Sequence, residues 1–211
     1  MKNLKINHLF PIIIILISFS FLQSCNDNNT IEVIDEDVTE QVLGDEDKAA
    51  LLFMLEEEKL ARDTYSYLSN VWSINQFANI KDSEQTHMDA IQNLLVKYNV
   101  EFTILPVGEF ENKALQNYYN QFKLDGAVSK SKAFQIGATI EDLDILDLQE
   151  YIEATKNTSL IAVFENLECG SRNHLRSFVS GIVQLGDSYT PQFLTQNEYE
   201  TIVTGSQEKC N

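Results

Sequence analysis

The segment Glu58-Lys-Leu-Ala-Arg-Asp-Thr-Tyr65 places a carboxylate inside an apolar helical stripe. Residues at alternating steps of three and four lie on one face of a helix. Here that face is formed by Leu51, Leu55, Glu58, Arg62 and Tyr65. Such a stripe faces the core of a helical protein, so the pattern predicts that Glu58 is buried on a long helix.

Three more segments repeat this arrangement of polar residues on apolar stripes. Glu84 and His87 lie on the second stripe, Glu141 and Asp144 on the third, and His174 on the fourth. Each stripe predicts a core-facing helix side. The four helices together therefore point four carboxylates and two imidazoles into one interior.

The spacing of apolar and helix-breaking residues predicts an all-α domain over residues 45–211. The chain of 211 residues is 44% hydrophobic and has only 8 Gly and 3 Pro, which excludes a loop-rich or all-β fold. Long helices with short connections favour a four-helix bundle with additional short helices. The helices are predicted at about 45–70, 74–98, 111–124, 129–154, 159–185 and 196–203.

Four inward carboxylates need positive charge nearby, because an isolated buried charge costs several kcal/mol. Arg62 can supply one positive charge, which is too little for four acids. Metal ions would supply the rest, and oxygen with imidazole ligands suits iron, with manganese as the alternative. Glu84 and His87, three residues apart, can reach one metal site. The predicted metal ligands are Glu58, Glu84, His87, Glu141, Asp144 and His174.

The first 24 residues have the pattern of a lipoprotein signal peptide, with a basic start and a short apolar run from Pro11 to Leu22. Leu22-Gln23-Ser24-Cys25 is typical of a lipobox, so Cys25 is the predicted lipidation site. Residues 25–44 are predicted to form an acidic flexible tether. We therefore expect a cell-envelope protein, lipid-anchored to a membrane on its periplasmic or extracellular side. An uncleaved N-terminal anchor is the alternative.

The net charge of −17 argues against nucleic acid as a partner and is compatible with attracting cations. Besides Cys25, the chain has two cysteines, Cys169 and Cys210. They could pair in an oxidising compartment, but sequence alone does not show that they come close enough. The sequence is compatible with a disulfide between them and with two free thiols.

Four motifs, in order, resemble a prokaryotic ferritin-like family catalogued as domain of unknown function 2202, and also resemble rubrerythrin-type proteins. The resemblance covers about residues 46–182, and its motifs are Glu56–Asp63, Ser83–Met88, Glu141–Ile145 and Gly170–Arg176. It implies a ferritin-like bundle with an iron site that oxidises Fe(II) or reduces peroxide. In one respect the chain departs from rubrerythrin-type proteins: Ser171, three residues before His174, replaces their glutamate. One ion or an asymmetric pair is therefore expected.

The resemblance leaves several roles to be decided. Glu58 or Glu141 would bridge two metal ions, whereas Tyr65 would either pass an electron or fill space. The electron donor would be a partner, such as another envelope protein, or Fe(II) itself, and the chain could be a monomer or a homodimer. The alternative function is a non-catalytic lipoprotein that sequesters metal or binds a partner. A third interpretation keeps the acids metal-free around Arg62.

Overall fold

The computed structural model describes residues 43–210, and within them it contains six helices and no strand. The all-α prediction is confirmed. The helices are α1 (Asp45–Trp72), α2 (Asn75–Lys97), α3 (Lys113–Gly126), α4 (Lys130–Ala154), α5 (Thr158–Gln184) and α6 (Gln196–Thr204).

The predicted signal peptide, the lipidation site at Cys25 and the tether as far as residue 42 lie outside the described residues. Leu43, assigned to the tether by its sequence, is buried in the core. None of the helices in residues 43–210 combines the length and the apolar character that crossing a membrane requires.

The four long helices pack as a bundle made of two hairpins. α1 lies along α2 and α4 lies along α5, while α1 also contacts α4 and α2 also contacts α5. The short helix α3 packs on α1 and α4, and α6 packs on α5. This arrangement gives the bundle one interior, bounded by one face of each long helix.

The ends of the helices follow from local capping chemistry. α1 ends at Trp72, because the left-handed backbone of Ser73 (φ 52°) cannot continue the helix. The side chains of Asn112, Ser129 and Asn157 accept backbone N–H groups at the starts of α3, α4 and α5. Thr195 begins α6 with a full capping box. These signals explain why the predicted boundaries fall within about two residues of the observed ones.

The apolar core is divided into two clusters along the bundle axis. One cluster includes Tyr65, Phe77 and Phe178, and the other includes Leu51 and Phe164. On α1, α2 and α5 the polar residues of the predicted site lie between the positions that belong to these two clusters, and on α4 they lie at the end of the first cluster, before Leu148 of the second. The fold therefore buries a polar layer between two apolar ones.

One buried carboxylate outside the predicted metal site has a structural role. Asp142 on α4 is fully buried and accepts hydrogen bonds from Tyr189 Oη (2.7 Å) and from the backbone N–H groups of Gln192 (2.5 Å), Phe193 (3.3 Å) and Leu194 (2.8 Å). A carboxylate accepts several such bonds without needing a cation. Asp142 thus fastens the segment after α5 to the bundle.

We predict that Asp142→Asn lowers the free energy of unfolding by about 3 kcal/mol, or roughly 10 °C in Tm, because an amide nitrogen would face backbone donors that stay buried. Thermal unfolding measures this. Asp45→Asn, at an exposed carboxylate of α1, is the matched control and should change stability by less than about 1 kcal/mol. Equal losses in both variants would contradict the structural role of Asp142.

Candidate metal centre

Five of the six predicted ligands come together in the polar layer of the bundle. Glu58 comes from α1, Glu84 and His87 from α2, Glu141 from α4 and His174 from α5. The three glutamates are at most 2% exposed, and the two histidines are 7% and 9% exposed. All four long helices therefore contribute to one cluster.

Glu58, Glu84 and His87 form a first triad. His87 Nδ1 lies 3.2 Å from Glu58 Oε2 and 2.9 Å from Glu84 Oε2. One ligand atom from each residue lies within 4.8 Å of the others. Donor atoms bound at about 2.1 Å to one metal ion stand about 3–4 Å apart, so this spacing suits an ion.

Glu84, Glu141 and His174 form a second triad. His174 Nδ1 lies 2.9 Å from Glu84 Oε1 and 3.4 Å from Glu141 Oε2. Glu84 belongs to both triads, and each of its oxygens faces one imidazole. The sequence favoured Glu58 or Glu141 for a bridging role, whereas the geometry puts Glu84 between the two histidines.

The charges of the cluster are strongly coupled. Burial raises the pKa of Glu58 and of Glu141 to about 7. For Glu84 burial works in the same direction, but His174 and His87 outweigh it and lower the pKa. Burial would lower the pKa of both histidines, yet the facing carboxylates raise the pKa of His87 well above 6.5 and that of His174 to about 10. In the absence of a metal ion, protons on these carboxyl and imidazole groups therefore reduce the repulsion between the buried carboxylates.

Asp144 lies next to the triads but belongs to neither of them. Its Oδ2 accepts a hydrogen bond of 2.5 Å from Ser171 Oγ, which is also bonded to the Leu167 carbonyl oxygen at 3.0 Å. Its Oδ1 has no hydrogen-bond partner among the residues described. Ser171 thus holds one oxygen of Asp144 and leaves the other free for a ligand.

Tyr65 contacts the second triad directly. Its hydroxyl donates a hydrogen bond of 2.5 Å to Glu141 Oε1, and its ring packs against Phe77 and Phe178. Burial, then the charges of Glu141 and Glu84, raise the pKa of Tyr65 well above 10, so the hydroxyl stays a donor. Tyr65 positions Glu141 as well as filling space.

Arg62 does not supply the countercharge that the sequence suggested. Its guanidinium bonds Asp63 at 2.7 Å and Gln85 at 2.7 Å. Asp63 is in turn held by Lys59 at 2.7 Å and by the Gly108 N–H at 2.9 Å. Arg62 therefore belongs to a structural network at the side of the cluster, which argues against a metal-free arrangement around it.

Sequence reasoning missed Glu57. Its side chain is 1% exposed, and neither of its oxygens accepts a hydrogen bond from an N–H or hydroxyl group within residues 43–210, while the Asp147 carboxyl lies close enough to share a proton with it. Burial, followed by the charges of Asp144, Asp147 and Glu58, raises its pKa well above 4.5. On a helix, adjacent residues point about 100° apart, so one stripe could not contain both Glu57 and Glu58. The run of three acids at residues 56–58 could have indicated a second buried carboxylate. Adjacent residues spread around the helix, and α1 is buried on more than one side.

The fold and site together define a class of protein: an all-helical bundle whose four long helices enclose a carboxylate–histidine cluster. The chain belongs to the family described as uncharacterized protein domain DUF2202, whose sequence profile matches residues 47–206. It is 45% identical over 171 residues to the uncharacterized protein MJ0754 of Methanocaldococcus jannaschii, covering 80% of this chain and 92% of that protein.

The crystal structure of hypothetical protein MJ0754 has the same fold. It matches with a TM-score of 0.78 at 45% sequence identity, over 80% of this chain and 97% of that one.

We predict that the metal-free protein loses stability as the pH rises from about 5 to 8. Glu58 and Glu141 have folded pKa values near 7, above their usual 4.5, so the folded state holds extra protons that are removed in this range. The stabilisation from His174 is complete below 6.5 and is lost as the pH rises towards 10. The loss should be on the order of 3 kcal/mol in chemical denaturation.

The double variant Glu58→Gln with Glu141→Gln is the control, because it removes the two carboxyls that titrate between about pH 4.5 and 7. Its stability should change less with pH over that range. Below about pH 4.5 the wild-type protein should also lose stability, since the lowered pKa of Glu84 makes its contribution disappear there. A wild-type stability that rises between pH 5 and 8 would be incompatible with these shifts.

Proposed function

We propose that this protein is a ferritin-like iron protein that holds two iron ions at the paired triads and reduces peroxide there. The observation that carries the proposal is Glu84, whose two oxygens each face a different histidine Nδ1 at 2.9 Å. A carboxylate in that position can bind one ion with each oxygen. Glu58 and His87 would complete one site, and Glu141 and His174 the other.

Unmet hydrogen-bonding capacity supports a cation in this layer. Glu58 Oε1 and Asp144 Oδ1 are buried and have no hydrogen-bond partner in the described part of the chain, and Glu84 Oε1 faces His174 Nδ1 at 2.9 Å without hydrogen-bond geometry. No Lys or Arg of that part forms an ion pair with Glu58, Glu84, Glu141 or Asp144. Buried carboxylates without partners are costly, and metal ions with oxygen and imidazole ligands remove that cost.

The protein's own residues would do the rest. The two apolar clusters around the polar layer exclude bulk water, which strengthens the interactions inside it. Tyr65 orients Glu141, and Ser171 orients Asp144. Glu58 and Glu141, whose pKa values are near 7 in the metal-free cluster, would release their protons when they bind the ions. Iron, when bound, would pass electrons to peroxide.

We also propose that the protein is located in the cell envelope. The signal peptide predicted at residues 1–24 and the predicted lipobox ending at Cys25 favour a lipid-anchored protein of the cell envelope. The acidic tether would then separate the bundle from the membrane. A reductant, an envelope partner or a second copy of the chain would meet the bundle in that compartment.

Ser171 favours a second candidate function, metal sequestration without turnover. It stands where rubrerythrin-type proteins carry a glutamate and binds Asp144 instead of a metal ion. A centre with one carboxylate fewer could keep iron without cycling it. Manganese would suit such a site as well.

The first test counts iron. The full chain carrying Cys25→Ser, loaded anaerobically with Fe(II) and desalted, should bind about two ions per chain, since two triads are present. His174→Ala should reduce this to about one, because only the first triad stays complete. Val183→Ala, at an exposed position of the same helix, is the control and should keep both ions.

Peroxide then separates the two candidate functions. Loss of peroxide in proportion to Fe(II) oxidised supports the proposed reductase, whereas iron that stays bound without consuming peroxide supports sequestration. An iron content near zero in the wild-type chain, with unchanged Tm, would rule out both.

We also predict that Tyr65→Phe weakens iron binding by about tenfold, because Glu141 loses the donor that orients it. Competition with a chelator of known affinity measures the change. Tyr189→Phe removes a comparable buried hydroxyl, the one that bonds Asp142 outside the site. That variant should lose stability and keep its iron affinity, so equal affinities in the two variants would refute the positioning role.

A further inference from the structure

Cys169 and Cys210 are joined by a disulfide, with their Cα atoms 5.7 Å apart. Cys169 is buried on α5, whereas Cys210 is exposed in the segment that follows α6. The sequence had left this pairing open. The bond connects the C-terminal segment to the helix that carries His174.

The disulfide lies next to the metal centre. Cys169 precedes Gly170, and a Cβ on Gly170 would stand only 2.7 Å from His87 Nε2. Cys210 lines a pocket of about 380 Å³ together with His87 and His174. Both histidines of the proposed centre therefore border the pocket that one of the cysteines also borders.

The orientation of the imidazoles decides what this pocket can do. Both Nδ1 atoms face the carboxylates, so the opposite edges of the rings point away from the centre. His87 Nε2 faces Gly170, and His174 Nε2 lies 3.1 Å from Ser83 Oγ. A molecule in the pocket would therefore meet the imidazole ring edges that point away from the carboxylates. The side of the cluster that borders this pocket thus suits electron transfer through the imidazole rings better than entry of an oxidant.

The C-terminal segment has further attachments to α5. Glu208 forms ion pairs of 2.6 Å with both Arg172 and Arg176, and it bonds the Asn173 side chain through its own N–H and carbonyl groups. These contacts do not depend on the S–S bond. Two thiols formed by reduction would stay close together and could re-form the bond.

We propose that Cys169 and Cys210 are a redox-active pair that supplies the two electrons for peroxide reduction at the metal centre. This inference rests on the proposed function. In the reaction the two S–H bonds break, one S–S bond forms, and two electrons and two protons are released. Peroxide takes up those two electrons and two protons, its O–O bond breaks, and two waters form.

The exposure of Cys210 suits restoration of the pair by a dithiol from another molecule. A dithiol from another molecule can attack its sulfur, form a mixed disulfide and leave as a disulfide, which returns both thiols to this chain. The buried Cys169 sulfur is the less accessible one. The electron donor left open by the sequence is therefore a small-molecule or protein dithiol.

The test follows the thiols and not only peroxide. The chain with Cys25→Ser retains just these two cysteines. It is reduced, loaded with Fe(II), mixed anaerobically with one equivalent of hydrogen peroxide, quenched with an alkylating reagent and weighed by mass spectrometry. We expect conversion of both thiols to the disulfide at a rate at least about tenfold above that of the same protein without iron.

Each outcome has a distinct meaning. If iron binds and is oxidised while both cysteines stay reduced and are recovered in alkylated form, the pair is only a structural link. The proposed function then stands without it. Equal rates with and without iron would mean direct thiol oxidation, which also overturns the inference. If no iron binds, the proposed function and the inference fail together. Cys169→Ser with Cys210→Ser should still bind two irons but lose dithiol-supported turnover.

Discussion

The carboxylate of Glu84, buried between two imidazoles, is the interaction on which the rest of the structure depends. A charge in that position is tolerated only with positive partners on both sides, and His87 and His174 provide them. His87 lies on α2 with Glu84, so His174, from α5, makes the pairing that joins two helices. Glu58 and Glu141 then add their carboxylates from α1 and α4, and their burial raises the pKa of each group. Protons or metal ions must balance the resulting charge.

The two apolar clusters make this layer possible. They supply the hydrophobic burial that stabilises the bundle, so the polar layer between them does not have to. Carboxylates placed there lower stability, which is the usual relation between a proposed site and its scaffold. Asp142 shows the contrast, because it is equally buried but fully hydrogen-bonded by backbone and side-chain donors. It needs no ion and serves only the fold.

The helices and most of the cluster were predictable because helical periodicity states which residues share a face. His87 and Glu84, three residues apart, are an example. What could not be predicted depends on distances between helices. The stripe that contained Glu58 also contained Arg62, yet Arg62 turns sideways to Asp63. Glu57 was missed because α1 is buried on a second face, and the pairing of the two cysteines depends on where the C-terminal segment returns.

The central claim is that Glu84 is shared between two metal ions. Anomalous X-ray diffraction at the iron edge, from crystals of Fe(II)-loaded protein, tests it most directly. Two anomalous peaks, one beside Glu58 and His87 and one beside Glu141 and His174, are the expected result. A cluster without anomalous density in crystals whose protein retains full iron elsewhere would contradict the claim, and the buried carboxylates would then be balanced by protons alone.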